Sequence, residues 1–267
     1  MTDSNRARGC GHLRVGRRGV ASVLRDLSQS GSGKLLFPRH GTGALQAVWL
    51  NTAGGITGGD RFALSAEAET GAALSLTTQA AERIYRAQPG APGEVHTVLT
   101  AGAGARIEWL PQETILFDGA ALDRRLDIRM TADARVLACE TLLFGRAAMG
   151  EVVHRLSFRD RIDLRVDGRL AFADRLRLDG DAAAALTRCG VADGAHAMAS
   201  VLLAAPGAET YLDPLRAILP RTAGVSAPDR SILFLRLVAP DGFELRRHLI
   251  PVLRLLSGAD LPRPWTL

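Results

Sequence analysis

The residues here whose types could do chemistry are carboxylates and hydroxyls set beside glycines and amides. Asp60 closes the segment Asn51-Thr52-Ala53-Gly54-Gly55-Ile56-Thr57-Gly58-Gly59-Asp60. Thr77 and Thr78 open Thr77-Thr78-Gln79-Ala80-Ala81-Glu82-Arg83-Ile84-Tyr85-Arg86. Glu113 follows Gln112 in Glu108-Trp109-Leu110-Pro111-Gln112-Glu113-Thr114-Ile115-Leu116-Phe117, and Glu140 precedes Phe144-Gly145-Arg146-Ala147-Ala148-Met149-Gly150-Glu151. Oxygen donors of this kind bind divalent cations weakly and exchangeably. Two carboxylates can also serve as general acid and base, so one reading is a stacked-β, carbohydrate-active enzyme that uses Glu113 and Glu140. Saccharide clefts are rich in stacking aromatics, and aromatics make up only 5% of this chain, which argues against that enzyme. A structural alternative for the acids is burial as ion pairs, with Glu113 or Glu151 meeting Arg83 or Arg146.

Other chemistries fail on spacing. Gly31-Ser32-Gly33-Lys34 suggests a phosphate loop, yet Ser28 stands where that loop needs glycine and Leu35 where it needs a Mg²⁺-binding hydroxyl. The six histidines, His12, His40, His96, His154, His196 and His248, form no His-x-His or His-x-x-x-His pair, and Cys10-Gly11-His12 is too little for a closed metal site. No Gly-x-Ser-x-Gly elbow is present. Three scattered cysteines, Cys10, Cys139 and Cys189, argue against a disulfide framework and for a reducing, cytoplasmic setting. The formal net charge of +5 comes from arginines spread along the chain, with Lys34 the one lysine, so no nucleic-acid stripe is written; nor is there an apolar run long enough to span a membrane.

The elements that must position these residues are strands. Leu126, Ile128 and Met130 alternate with Asp127 and Arg129, and Ile162, Leu164 and Val166 with Asp163 and Arg165, the period of half-buried strands. Weaker alternation marks 22–29, 44–50, 61–69, 95–100, 134–139, 152–158 and 232–238, and Asp167-Gly168 is a two-residue hairpin signal. Helical spacing begins near Asp241 or Gly242 and runs through Leu245, Leu249 and Leu253 to a break at Gly258, with Pro251 expected to kink it or move its start. A short helix is expected over 213–219 with Asp213 as N-cap, and the alanine-rich stretch 179–194 reads as a loop. Residues 1–18 form an N-terminal segment expected to fray, above all before Gly9. The expectation is one mainly β domain over 1–267 with coiled or stacked sheets and a few short helices, one near the C-terminus.

Taken together, the double-glycine segment, the three segments that follow it and the ending Leu261-Pro262-Arg263-Pro264-Trp265 resemble the urease accessory protein D family (UreD, also called UreH), in that family's order and from about Gly19 to Trp265. The resemblance is loose across 179–227. It implies a non-catalytic, helically coiled β scaffold of the cytoplasm, a metallochaperone partner rather than an enzyme. Such a scaffold binds the urease apoprotein and accessory protein F, meets the GTPase accessory protein G through F, and helps insert nickel into urease. The resemblance also implies a transient nickel(II) path rather than a tightly bound cofactor, with Asp60, Thr77, Thr78, Glu113, Glu140 and Glu151 as lining candidates. Gly54, Gly55, Gly58, Gly59, Gln79, Tyr85, Gln112, Gly145, Arg146 and Gly150 are its motif residues.

Overall fold

A computed structural model describes residues 6–38 and 43–266. His40 and residues 1–5 of the segment expected to fray lie outside the described residues. In chain order the strands are β1 (Arg8–Arg18), β2 (Ala21–Gly31), β3 (Gly33–Leu36), β4 (Leu45–Asn51), β5 (Arg61–Ala68), β6 (Ala73–Thr78), β7 (Glu82–Ile84), β8 (Gly93–Ala101), β9 (Arg106–Leu110), β10 (Thr114–Leu116), β11 (Ala120–Met130), β12 (Arg135–Phe144), β13 (Leu156–Val166), β14 (Arg169–Gly180), β15 (Ala197–Ala204), β16 (Ala223–Asp229) and β17 (Ile232–Ala239). Three α-helices join them: α1 (Ala182–Leu186), α2 (Leu212–Ile218) and α3 (Gly242–Ser257).

The strands form two facing sheets, ordered β14-β13-β11-β8-β5-β1-β2 and β16-β17-β15-β12-β9-β6-β4-β3. From β4 to β13 the chain alternates between the sheets, and successive strands in each sheet pair in parallel, as in a coiled β stack. Tight turns lie at one edge of the coils and long turns at the other. The long turns carry a short ladder of their own: Ile56 bridges Ile84, β7 pairs with β10, and β10 pairs with the end of β12. Ile56, Ile84, Leu116 and Phe144 therefore stack inward through four successive coils, each buried.

The period-2 pattern explains the main core. Leu122 and Leu126 of β11, Phe158 and Ile162 of β13, and Val136, Ala138 and Leu142 of β12 all point between the sheets. A second core forms where Leu245, Leu249, Val252 and Leu256 of α3 cover Leu137 and Cys139 of β12 and the β15 and β17 side chains. Trp265 is fully buried there, and its Nε1 donates to the Leu110 carbonyl at 2.8 Å. The mainly β fold with a C-terminal helix is the one expected.

Several local expectations change. Residues 8–18 do not fray but form β1, held between β2 and β5 with Leu13 and Val15 fully buried. In α3, Pro251 lies within the helix at an exposed position and does not move its start. Asp241 caps the N-terminus by accepting from Glu244 N–H at 2.9 Å, and Gly258 ends the helix in the left-handed region. Asp213 is not the N-cap of α2, because a single 3₁₀ turn at Ala208–Tyr211 runs directly into the helix and leaves Tyr211 in that place. The stretch read as a loop extends β14 to Gly180 and then forms α1, with Asp181 accepting from Ala184 N–H at 3.0 Å. Alanine has the highest helix propensity, and the buried Ala182 and Leu186 anchor the turn. The Asp167-Gly168 turn is as expected, with φ of 48° and 80°.

Candidate functional site

The four segments singled out from the sequence come together on the long turns. At Gly55, φ is 155° and a Cβ would lie 2.3 Å from the Tyr85 ring, so only glycine lets the Tyr85 side chain cross the loop. Tyr85 then donates to the Gly54 carbonyl at 3.1 Å and meets Phe117 edge to face at 5.1 Å, and the Arg146 guanidinium lies 4.3 Å from the Phe117 centroid. Glu151 grips Arg146 through both oxygens, at 2.8 and 3.1 Å, and accepts the Arg146 and Asp118 N–H groups. Residues far apart in the chain thus lock neighbouring coils to one another.

Beside these turns a surface pocket of about 160 Å³ opens, lined by Trp49, Asn51, Gly54, Thr78, Gln79, Glu82 and Arg83 among others. Behind it, between the sheets, lies an inner cavity of about 60 Å³. Trp49, Thr78 and Glu82 line both, and these three side chains form the wall, or neck, that mouth and interior share. Asn51 Nδ2 donates to both Glu82 oxygens, at 3.1 and 3.3 Å, and to the Gly55 carbonyl at 3.1 Å, which ties the neck to the double-glycine loop. Burial lifts the Glu82 carboxyl to about 7, against the pull of the Asn51 hydrogen bond.

The inner cavity ends on a buried charge cluster. Arg124 of β11 is in phase with Leu122 and Leu126, and Asp160 of β13 with Phe158 and Ile162, so the alternation turns both inward, where they are register partners. Arg124 binds Asp160 in bidentate fashion at 2.9 and 2.7 Å, lies 2.6 Å from Glu140 and donates to Thr114 Oγ1 at 3.0 Å. Trp109 Nε1 donates to Glu140 at 2.7 Å. Burial works against the Arg124 charge, yet Asp160 and Glu140 outweigh it and its pKa is raised. Burial pushes the Glu140 carboxyl up, and Arg124 opposes it. One guanidinium facing two carboxylates leaves this apolar interior with formal excess negative charge. Gln112 Nε2 is buried without a hydrogen-bond partner, and Gln112 lines the same cavity.

Of the six residues expected to line a path, Thr78 and Glu140 line this cavity. Asp60 instead accepts the Ala7 and Thr57 N–H groups and ties the double-glycine loop to the chain ahead of β1. Thr77 faces away from the inter-sheet core and donates to the Leu110 carbonyl at 2.6 Å. Glu113 is held by Arg246 of α3 at 2.8 Å, not by Arg83, and Glu151 by Arg146. Glu113 and Glu140 are thus bound by guanidinia from different packing partners of the second sheet. Glu82, Arg124, Asp160, Asn51 and Trp109 complete the site. The sequence signal for two of them was a charge sitting in the apolar phase of a strand. Among the described residues no three His, Cys, Asp or Glu side chains are grouped to hold a metal ion.

The family model described as UreD urease accessory protein matches residues 7–266. The chain belongs to the UreD family of urease accessory proteins. A relative from Ruegeria pomeroyi named urease accessory protein UreD is 49% identical over 93% of this chain and 97% of its own length. Relatives with the same name from Roseobacter denitrificans and Rhizobium rhizogenes are 48% and 46% identical, each over 100% of this chain and over 98% and 97% of their own. UreD proteins are accessory, not catalytic, so this chain serves urease maturation and works with urease components. No helix among the described residues is long and apolar enough to cross a membrane.

Proposed function

We propose that this UreD chain helps insert nickel into the urease apoprotein as a scaffold, with the cation passing through the space between its sheets. The observation that carries this reading is the shared neck: a surface mouth and an inner cavity meet at Trp49, Thr78 and Glu82, and the cavity ends on a cluster with more carboxylates than guanidinia. A divalent cation inside a low-dielectric sandwich needs such an excess of negative charge to offset lost hydration. Oxygen donors held as pairs bind nickel too weakly to trap it, which suits transit. Docking to accessory protein F, and through it to the GTPase accessory protein G, places the nickel source at one end of this route and urease at the other. Cytoplasmic work is consistent with Cys10, Cys139 and Cys189 all being free thiols.

A plug tests the passage. Thr97 of β8 is buried and lines the inner cavity, so Thr97→Met fills that space without altering a charge. The variant is expected to assemble with its partners yet leave urease short of nickel in elemental analysis. Normal nickel content with the plug in place refutes the passage.

A further inference from the structure

Among the acids of the mouth and inner cavity, one stands apart. Glu140 is paired with Arg124, and its neighbour Asp160 holds the same guanidinium. Other acids of the motif segments are also neutralised by arginine: Glu113 by Arg246, Glu108 by Arg106 and Glu151 by Arg146. Among the described residues no arginine forms an ion pair with Glu82, and its side-chain partner is the neutral amide of Asn51. The weakest influence on it is the charge of Arg83, a residue whose side chain is exposed.

A carboxylate carries about four lone-pair sites. The Asn51 amide takes one on each oxygen and the Arg83 N–H takes a third, which leaves one open in the neck. Asn51 also fixes where the carboxylate sits, because the same nitrogen donates to the Gly55 carbonyl of the rigid double-glycine loop. Just inside, the unpartnered Nε2 of Gln112 is a donor with no acceptor. A donor of that kind suits the oxygen of a water carried on a cation and cannot ligate the cation itself.

We propose that Glu82 is the residue that captures and admits the divalent cation at the neck, taking it from the mouth through its open oxygen lone pair before it reaches the Glu140 cluster. The assignment rests on the passage reading above. It makes Glu82 the capturing group and Asn51 its positioning residue. It also separates two tasks: Glu82 captures because it has no counter-ion, and Glu140 receives only where Arg124 yields it.

The test uses the full accessory complex with urease apoprotein, limiting Ni²⁺, and nickel content of urease as the readout, for Glu82→Gln, Glu82→Asp and Thr97→Met side by side. With assembly unchanged, Glu82→Gln is expected to lower nickel content about tenfold or more, the size of effect seen when a group that tunes a metal site is lost. Glu82→Asp keeps the carboxylate and is expected to retain most delivery, and raising Ni²⁺ should recover part of the Glu82→Gln loss. Normal delivery by Glu82→Gln while Thr97→Met blocks it overturns the role of Glu82 and leaves the passage standing. Normal delivery by both overturns the passage as well. Loss in Glu82→Gln with normal delivery in Thr97→Met places Glu82 off the inner route and overturns the proposal. Equal loss in Glu82→Asp and Glu82→Gln assigns the effect to side-chain size and also overturns it.

Discussion

Arg124→Met should be among the most damaging single changes in the inter-sheet core, and the size of the loss follows from what the arginine holds. Arg124 is bidentate to Asp160 and bound to Glu140, with all three side chains nearly inaccessible. Methionine fits the slot between Leu122 and Leu126 but leaves two carboxylates facing each other without a cation. Breaking a buried ion pair from one side costs about 3–5 kcal/mol. A chain of this size loses roughly 2 °C of melting temperature per kcal/mol, so a fall of about 6–10 °C is expected. The pH dependence carries the diagnosis. Without Arg124, nothing opposes the burial that already pushes the Glu140 carboxyl up, so the folded state holds an extra proton there. That contribution is fully present below the unfolded carboxyl pKa and is lost as pH rises through the raised value. The deficit should therefore be larger at pH 8 than at pH 5 in thermal melts followed by circular dichroism. Neutralising the partners as well, in Arg124→Met/Glu140→Gln/Asp160→Asn, should recover most of the stability. A melting temperature for Arg124→Met within 2 °C of the parent at pH 8 would show that the cluster is not desolvated as described.

Glu82→Gln should stabilise the protein at pH 8. With its folded pKa at about 7 against 4.5, Glu82 favours folding fully below pH 4.5 and loses that contribution as pH climbs to about 7, so the amide removes a penalty of up to about 3 kcal/mol, readable in urea titrations at pH 5 and 8. Gly55→Ala should cost about 2–4 kcal/mol, since its Cβ would lie 2.3 Å from the Tyr85 ring and 2.7 Å from the Arg83 carbonyl. Tyr85→Ala in the same chain should return only part of that loss, because the Arg83 backbone remains in the way. Trp265→Ala should cost about 3–5 kcal/mol and raise hydrogen exchange in α3, because the indole fills the second core and satisfies the Leu110 carbonyl.

How much was legible depended on which physical signal each segment carried. Strands with one wet face, such as β11 and β13, announced themselves by alternation. β15, Ala-Met-Ala-Ser-Val-Leu-Leu-Ala, is buried on every residue, because one side meets the inter-sheet core and the other α3, and a fully apolar run has no period to read. β1 was hidden by its glycines and arginines. Gly9, Gly11 and Gly33 are small because the Phe62 and Trp49 rings pack over them, a reason that lies in other coils. The candidate site divided the same way. Composition and motif order drew attention to Glu140 and Thr78, which do face the cavity. The same reasoning could not see that Asp60 is spent on backbone N–H groups or that Glu113 answers to Arg246, over a hundred residues away in sequence. Arg124 and Asp160 were readable in principle as charges in the apolar phase of predicted strands.

The cluster behind the neck separates holding the fold from carrying charge, and Asp160→Asn tests that separation. Arg124 is bidentate to Asp160 and meets Glu140 through one contact at 2.6 Å, so two carboxylates share one guanidinium and the cavity keeps a formal negative excess. Replacing Asp160 by asparagine leaves Arg124 and Glu140 as a matched pair. The pair is neutral and keeps its hydrogen bonds, so stability should fall by less than for Arg124→Met, about 1–3 kcal/mol. The excess negative charge is gone, however, and Glu140 becomes the sole counter-ion of a buried guanidinium, which it cannot release without stranding that charge. Nickel content of urease matured with Asp160→Asn should therefore drop even though the chain remains folded and assembled, whereas a purely structural role for the cluster predicts delivery that follows melting temperature across Asp160→Asn, Arg124→Met and the triple variant. An Asp160→Asn chain that melts well above Arg124→Met yet delivers no more nickel separates the two accounts, because delivery then follows the charge of the route and not the stability of the fold.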